Sequence, residues 1–141
     1  MTIAVFHFVN VIFITICSMV LVTTKGMFVK RTFLNIPLKV FNKSVVVIDE
    51  NENFNPHFDL DTLKENVTYF LNLNLKNHVD HYNISFYPYT YDKENQKYYI
   101  NIGSDIKNVQ IHFICNYFLN FKVDQYLCFS LNEKGVIKSE Y

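Results

Sequence analysis

The stretch TIAVFHFVNVIFITICSMVLVTT, residues 2–24, shapes the interpretation of the whole chain because it contains no charged side chain. An apolar helix of about 20 residues crosses a hydrocarbon core of roughly 30 Å. A buried core element would also be apolar, and a signal peptide is a second alternative. A signal peptide normally starts with basic residues and ends at small ones, whereas no Lys or Arg precedes this run and its exit reads VTTKG. The sequence therefore predicts a retained transmembrane anchor over residues 1–24, with residues 3–22 as the span.

Positive charge lies on one side of this span. The residues concerned are Lys25, Lys30, Arg31, Lys39 and Lys43, and no Lys or Arg precedes the span. Cytoplasmic flanks of membrane helices carry an excess of Lys and Arg. The charge distribution taken alone therefore favours a cytoplasmic C-terminal domain.

Residues 25–48 are predicted to form a juxtamembrane segment. Phe28, Phe33, Ile36 and Val40 roughly follow helical spacing, so the span could continue as a helix until Pro37 kinks or ends it. The β-branched run at residues 44–48 is equally consistent with a strand. Residues 49–57, DENENFNPH, are polar and include a proline, which is typical of a loop. We place the start of the folded domain, residues 49–141, at this loop.

An amphipathic helix is predicted over residues 59–75. Its apolar residues fall at three- and four-residue steps and form one stripe: Leu60, Leu63, Val67, Phe70, Leu71 and Leu75. Asp59 or Asp61 can cap its first turn by accepting hydrogen bonds from free backbone N–H groups. We expect this stripe to pack on a sheet.

Four short alternating segments follow, separated by polar turns. They begin near residues 82, 97, 109 and 127, and alternation of this kind predicts antiparallel strands. In the first, Ile84 and Phe86 share one face, and in the second, Tyr98, Ile100 and Ile102 are expected to point inward. Pro88 cannot donate to a ladder, so the first strand should be an edge strand or bulged there. The predicted fold class is α+β: a transmembrane helix, then one amphipathic helix packed on a four-stranded antiparallel meander.

Cys115 and Cys128 lie on neighbouring predicted strands. Cys115 shares a face with Ile111 and Phe113, whereas Cys128 lies between Leu127 and Phe129 and so takes the opposite face. We therefore expect two unlinked thiols.

Chemistry-bearing motifs are sparse. His78, Asp80 and His81 could begin a metal site, but no further ligand pair stands at an established spacing, so a polar connection is the expected structure. No catalytic, cofactor-binding or metal-ligating residue is predicted, and the chain is expected to be neither an enzyme nor a cofactor protein. Formal charge balances at 13 Lys and Arg against 13 Asp and Glu, which leaves no sequence-wide electrostatic reason to expect nucleic acid.

The layout resembles a known family. The uncharged N-terminal span, FDLDTLKENVTYFLNLNL at residues 58–75 and VQIHFICNYFLNFKVDQYLCFSL at residues 109–131 together resemble the TadE-like minor pseudopilins, which are small pilin-like membrane proteins. The resemblance implies a non-enzymatic part of a pilus or secretion assembly, with its domain outside the cytoplasm. We follow the resemblance and expect an extracytoplasmic domain, against the distribution of charge.

Tyr87, Tyr89 and Tyr91 are the candidate partner surface. They share one face of the first predicted strand, and tyrosine offers a large amphipathic contact area. The expected partners are membrane lipid and proteins of a membrane assembly. Two alternatives stay open: a small ligand- or partner-binding module with a pocket between sheet and helix, and a secreted effector whose N-terminus is removed.

Overall fold

The structure is a computed structural model that describes residues 2–140. Met1 and Tyr141, the outer limits of the predicted anchor and domain, lie outside the described residues. The elements in chain order are α1 (Thr2–Leu34), α2 (Leu38–Asn42), β1 (Val45–Ile48), β2 (Phe54–Phe58), α3 (Leu60–Leu75), β3 (Asn83–Asp92), β4 (Lys97–Ile100), β5 (Asn108–Phe118), β6 (Phe121–Leu131) and β7 (Ile137–Glu140).

Helix α1 has two environments along its length. Residues 2–21 are exposed throughout, whereas Gly26, Val29 and Phe33 are buried in the domain. These three residues follow three- and four-residue steps, so one stripe of the last part of the helix faces the core. The helix ends at Leu34, and Pro37 stands at the start of α2, as its fixed φ and missing N–H favour. The predicted apolar helix is confirmed, and it runs into the domain without a break.

Residues 25–48, expected to be juxtamembrane, contribute directly to the core. The buried core residues that come from this segment are Val29, Phe33, Ile36, Val40 and Phe41. Two aromatic contacts join them to the sheet: Phe33 stacks on Phe113 with ring centroids 4.8 Å apart, and Phe41 meets Phe129 at 4.1 Å. The domain core therefore begins inside α1 and not at residue 49.

The sheet is larger than predicted and is not a simple meander. Five antiparallel strands lie in the order β4-β3-β5-β6-β7, and β1 and β2 form a separate two-stranded sheet. The expectation of four strands in meander order is wrong because the chain, after the β3–β4 hairpin, returns to pair β5 with the other edge of β3. The short strand β7 adds a fifth member beside β6.

The loop predicted at residues 49–57 is also partly wrong, since β2 occupies its second half. Strand β2, FNPHF, pairs with β1, and the register shifts between Val46 and Ile48. Both strands of a two-stranded sheet are edges, and a proline is tolerated at an edge or bulge. Pro56 therefore fits there and is buried.

Helix α3 forms with the predicted cap and apolar stripe, but its main neighbours are the helices α1 and α2 and not the strands of the sheet. Asp59 stands at the N-cap, where its carboxylate accepts the backbone N–H of Asp61 at 3.1 Å and the hydroxyl of Thr62 at 2.8 Å. The Thr62 hydroxyl hydrogen bond is the main cause that lowers the pKa of Asp59 below its usual value. The buried stripe consists of Leu63, Val67, Leu71 and Leu75. Helix α1 contacts β5 and β6, and α3 packs beside it against α1 and α2.

Replacing Leu71 by Ala should lower the free energy of unfolding by about 2–5 kcal/mol, because a fully buried side chain would leave a cavity. Leu73→Ala is the matched control, since Leu73 lies on the same helix and is exposed. Thermal and urea unfolding of the full chain in mild detergent, followed by circular dichroism, measures both variants. Equal stability of the two variants would show that the buried face has been assigned wrongly.

The sheet residues alternate cleanly between a covered and an uncovered face. On β5 the covered residues are Val109, Ile111, Phe113 and Cys115, all buried. The backbone N and C=O of a strand residue point to the same side. The Pro88 carbonyl accepts the Asn101 N–H on the β4 side, so the Pro88 nitrogen faces that side as well. The ladder with β4 begins only at Tyr89, so no backbone donor is required at Pro88.

Candidate interaction surface on the uncovered sheet face

The helices pack on one face of the sheet at β5, β6 and β7, and tyrosines collect on the opposite face at β3 and β4. Tyr87 pairs with Gln110 and Tyr89 with Asn108, so both point away from the buried residues of β5. Tyr91 shares their face, as predicted. Tyr87 and Tyr91 are exposed, and Tyr89 is half-buried.

Strand β4 adds two residues to this face. Tyr98 pairs with Tyr91 and Ile100 with Tyr89, so their side chains lie beside the β3 tyrosines and not in the core. The expectation that Tyr98, Ile100 and Ile102 point inward is wrong. Alternation shows which residues share a face, but which face is buried depends on where the helices pack. Ile100 and Ile102 are strongly exposed.

We define the tyrosine surface as Tyr87, Tyr89, Tyr91 and Tyr98. Tyr98 lies between two of the others: its ring centroid is 5.6 Å from that of Tyr89, edge to face, and 4.8 Å from that of Tyr91. Its side chain is 71% exposed. Aromatic rings packed against each other lose little further rotamer freedom on binding, so the cluster offers a rigid amphipathic contact area.

A groove of about 630 Å³ adjoins this surface. Its lining combines aromatic, aliphatic and polar side chains: Tyr87, Pro88, Tyr89, Tyr98, Tyr99, Ile100, Gln110 and Cys128. The Gln110 side-chain amide lies 3.5 Å from Cys128 Sγ across the β5–β6 pair. The floor of the groove is therefore polar where β5 meets β6 and aromatic toward β4.

A second cluster on the same face was not predicted. His112 stacks on Tyr126 with centroids 4.1 Å apart and an interplanar angle of 2°. The His112 Nε2 atom lies 2.7 Å from Asp124 Oδ1, a hydrogen bond that holds the imidazole in place. His112 and Tyr126 are direct partners in the β5–β6 register, so only knowledge of that register would have brought them together.

The metal hypothesis at residues 78–81 gains no ligands from the fold. His78 lies against Phe28, with ring centroids 4.3 Å apart, and the His81 carbonyl accepts from the Cys115 thiol at 3.6 Å. Within residues 2–140, no group of three or more His, Cys, Asp and Glu side chains could hold a metal ion.

The two cysteines of the sheet lie on opposite faces, as predicted. Cys115 is buried on the covered face opposite Val123, and Cys128 lies on the uncovered face opposite Gln110. Burial raises the pKa of the Cys115 thiol, so less of it is thiolate at neutral pH.

Mass spectrometry of the unreduced, digested protein should recover Cys115 and Cys128 in separate peptides. Brief treatment with a maleimide should label the half-buried Cys128 well before Cys115, because Cys115 is less accessible and burial raises the pKa of its thiol. A Cys115–Cys128 crosslinked peptide would mean that one strand is shifted by a residue relative to this register.

The chain was compared with protein-family models, with curated proteins and with solved structures, and none of the three comparisons gives a match.

Proposed function

We propose that this chain is a membrane-anchored, non-enzymatic structural or assembly protein of pilin-like type. The observation that carries the proposal is the exposed apolar part of α1, residues 2–21, which belongs to a helix long and apolar enough to cross a membrane. A continuous apolar surface of this size marks a membrane or a protein partner in a folded chain.

The hydroxyl groups of this segment support an apolar environment. Thr15 donates to the Val11 carbonyl and Ser18 to that of Ile14, each at 2.8 Å. Just beyond the segment, Thr24 donates to the Val20 carbonyl at the same distance. Within lipid, polar groups must find their partners inside the segment, and these hydroxyls do so. An α-helix likewise pairs its backbone N–H and C=O groups within the segment itself.

The pilin-like form of the proposal rests on how one helix serves two environments. Its first part is apolar and exposed, and its last part is packed across β5 and β6 of an antiparallel sheet. Such a helix can reside in a bilayer and can also pack against equivalent helices in an assembly. The tyrosine surface then serves as the contact for a neighbouring protein.

We also propose that the domain lies outside the cytoplasm, as the resemblance to pilin-like proteins implies. The cations after the span oppose this orientation, although the stems of Lys and Arg can lie along apolar surface with their charges at lipid headgroups on either side. Protease added to intact cells or spheroplasts should digest the domain directly. Digestion only after the membrane is opened would place it in the cytoplasm.

Carbonate extraction separates the proposal from its secreted alternative. The full-length chain should stay with the membrane pellet, and sequencing of its N-terminus should show that the apolar segment is retained. A soluble chain that begins beyond residue 24 would instead identify a secreted protein with a removed N-terminus.

The partner surface can be tested in native membranes with a photo-reactive amino acid. Placed at Tyr98, it should crosslink to a specific protein. The control position is Tyr69, an exposed tyrosine on α3, which lies in the helical layer away from the tyrosine surface. Equal crosslinking from both positions would remove the tyrosine surface as the contact.

A ligand-binding module is the second candidate, and the groove beside the tyrosine surface favours it. Its volume of about 630 Å³ lies within the range of small-molecule sites. The space between the helices and the sheet, by contrast, is filled by buried side chains such as Leu71 and Phe113. A ligand that protects Cys128, but not Cys17, from maleimide in detergent would support this function.

A further inference from the structure

The turn between β5 and β6 exposes large apolar side chains. We define the hairpin tip as Phe118, Leu119, Asn120 and Phe121. Phe118 pairs with Phe121, so Leu119 and Asn120 form a two-residue connection. Leu119 is 81% exposed, and both phenylalanines are exposed as well. Their rings lie 6.5 Å apart, centroid to centroid.

This composition is unusual for a turn that faces water. Two-residue hairpin turns favour Gly, Asn and Asp because these residues tolerate positive φ. Leu119 instead adopts a φ of 46° with a branched apolar side chain at the tip. An apolar environment outside the chain would stabilise this arrangement, since the side chain has none within the domain.

The hairpin tip lies at the end of the domain from which the apolar part of α1 emerges. A Cβ added at Gly26 would overlap the Tyr117 hydroxyl, so α1 and the end of β5 are in close approach there. Further along, Phe33 stacks on Phe113. Earlier residues of α1 thus meet later residues of β5, and the two elements run in opposite directions.

The height of the tip along α1 follows from this geometry. Leu119 lies two residues beyond Tyr117, roughly 7 Å further along the strand. That distance corresponds to about four or five residues of helical rise. Counted back from Gly26, it reaches the neighbourhood of Val22, which is half-buried and follows the fully exposed part of the helix.

Two lysines lie at this end of the domain. Lys30 and Lys122 line one groove together with Gly26 and Tyr117. Lys122 follows the hairpin tip directly, and Asp124 lies 4.0 Å from it in the same groove. Phe28 of α1 and Phe121 expose aromatic surface at the same end. Phe and Leu side chains at the headgroup–acyl boundary with lysines beside them are a usual arrangement for a protein surface that lies in the membrane interface.

We propose that the hairpin tip enters the interface of the bilayer beside α1, an inference that rests on the proposed anchoring of that helix. The occupant of this apolar tip is lipid: Leu119 and the two phenylalanines contact the upper acyl chains, and Lys122 and Lys30 lie near phosphates. The domain is then held on the membrane at two points, and its tilt is fixed.

This placement also orients the tyrosine surface. Tyr89 pairs with Asn108, at the far end of the 11-residue β5, and lies roughly 30 Å along the strand from the hairpin tip. The tyrosine surface therefore lies at the end of the sheet away from the membrane, where another protein can reach it.

The chain contains no tryptophan, so one introduced tryptophan reports on its own surroundings. The test uses the full chain reconstituted in vesicles of phosphatidylcholine with some phosphatidylglycerol, with and without acyl-chain bromination. Leu119→Trp and, separately, Phe121→Trp should emit at shorter wavelength and be quenched by brominated lipid. Ile102→Trp is the matched control at a site that is 97% exposed beyond β4, and it should be neither shifted nor quenched.

Phe13→Trp, within the apolar segment, keeps the two proposals separable. Quenching of Phe13→Trp without quenching at either tip position would overturn the hairpin contact and leave the anchor standing. A blue shift at the tip without quenching would mean that protein covers it, which also overturns the inference. Quenching of Ile102→Trp as strong as at the tip would show lipid contact that is not confined to the hairpin, and this too would overturn the inference. An unquenched Phe13→Trp would remove the anchor itself.

Discussion

The double substitution Ile12→Asp and Ile16→Asp, in the middle of the predicted span, should release the chain from carbonate-washed membranes. Both residues are exposed apolar side chains four positions apart, so the two charges share one helix face. Each aspartate near the centre of a span costs about 3 kcal/mol on insertion scales, and roughly 6 kcal/mol for the pair is enough to abolish stable insertion. The fraction of full-length chain in the pellet measures the effect.

The matched control places the same two substitutions outside the membrane. Ile100→Asp with Ile102→Asp adds the same charge at two strongly exposed positions and should leave the chain in the pellet. Retention of the Ile12→Asp and Ile16→Asp variant in the pellet, with its domain still folded, would contradict the anchor. Circular dichroism of the detergent-extracted variant checks that the domain has kept its structure.

Phe33→Ala should destabilise the domain by about 3–5 kcal/mol, in the range measured for buried Phe truncations. The ring of Phe33 is fully buried and stacks on Phe113, so its removal leaves a cavity between α1 and β5. Stability losses of this size are a large part of the total for a domain of ordinary stability. Thermal unfolding in mild detergent should show a strongly lowered midpoint or no folded domain.

Phe13→Ala serves as its control because it makes the same substitution in the same helix. Phe13 is exposed within the apolar segment and contributes nothing to the domain core. Its midpoint should therefore match that of the unsubstituted chain. An equal midpoint for Phe33→Ala would show that the end of α1 does not pack on the sheet.

The helices and the covered strands could be predicted from the sequence because local rules decide them. The stripe of α3, its cap at Asp59 and the alternation on β5 each follow from residue spacing over a few turns or strand positions. The parity that separates Cys115 from Cys128 is equally local, and the structure agrees with it. A long uncharged run also indicates an apolar helix without reference to the rest of the chain.

The strand order depends on contacts between strands, which the spacing of residues within one segment does not reveal. Strand β4 is only four residues long, and its alternation fits either face equally well. Alternation predicts that Tyr98 and Ile100 point inward, but all four residues of β4 are exposed because the helices pack on β5, β6 and β7. The stack of His112 on Tyr126 likewise requires the register between two strands. Strands β2 and β7 are short, and each pairs with the strand directly before it in the chain, β1 and β6 respectively.

Because α1 is one unbroken helix, it fixes the rotation of the domain about the helix axis relative to residues 2–21. Each residue of an α-helix turns the chain by about 100° and advances it by 1.5 Å. A single residue inserted after Thr23 would thus rotate the whole sheet by about that angle relative to residues 2–21, while Gly26, Val29 and Phe33 kept their places in the core. The azimuth from which the tyrosine surface meets a neighbour is consequently set by the residue count of the helix, and adding or deleting residues there would re-aim the domain without changing its fold.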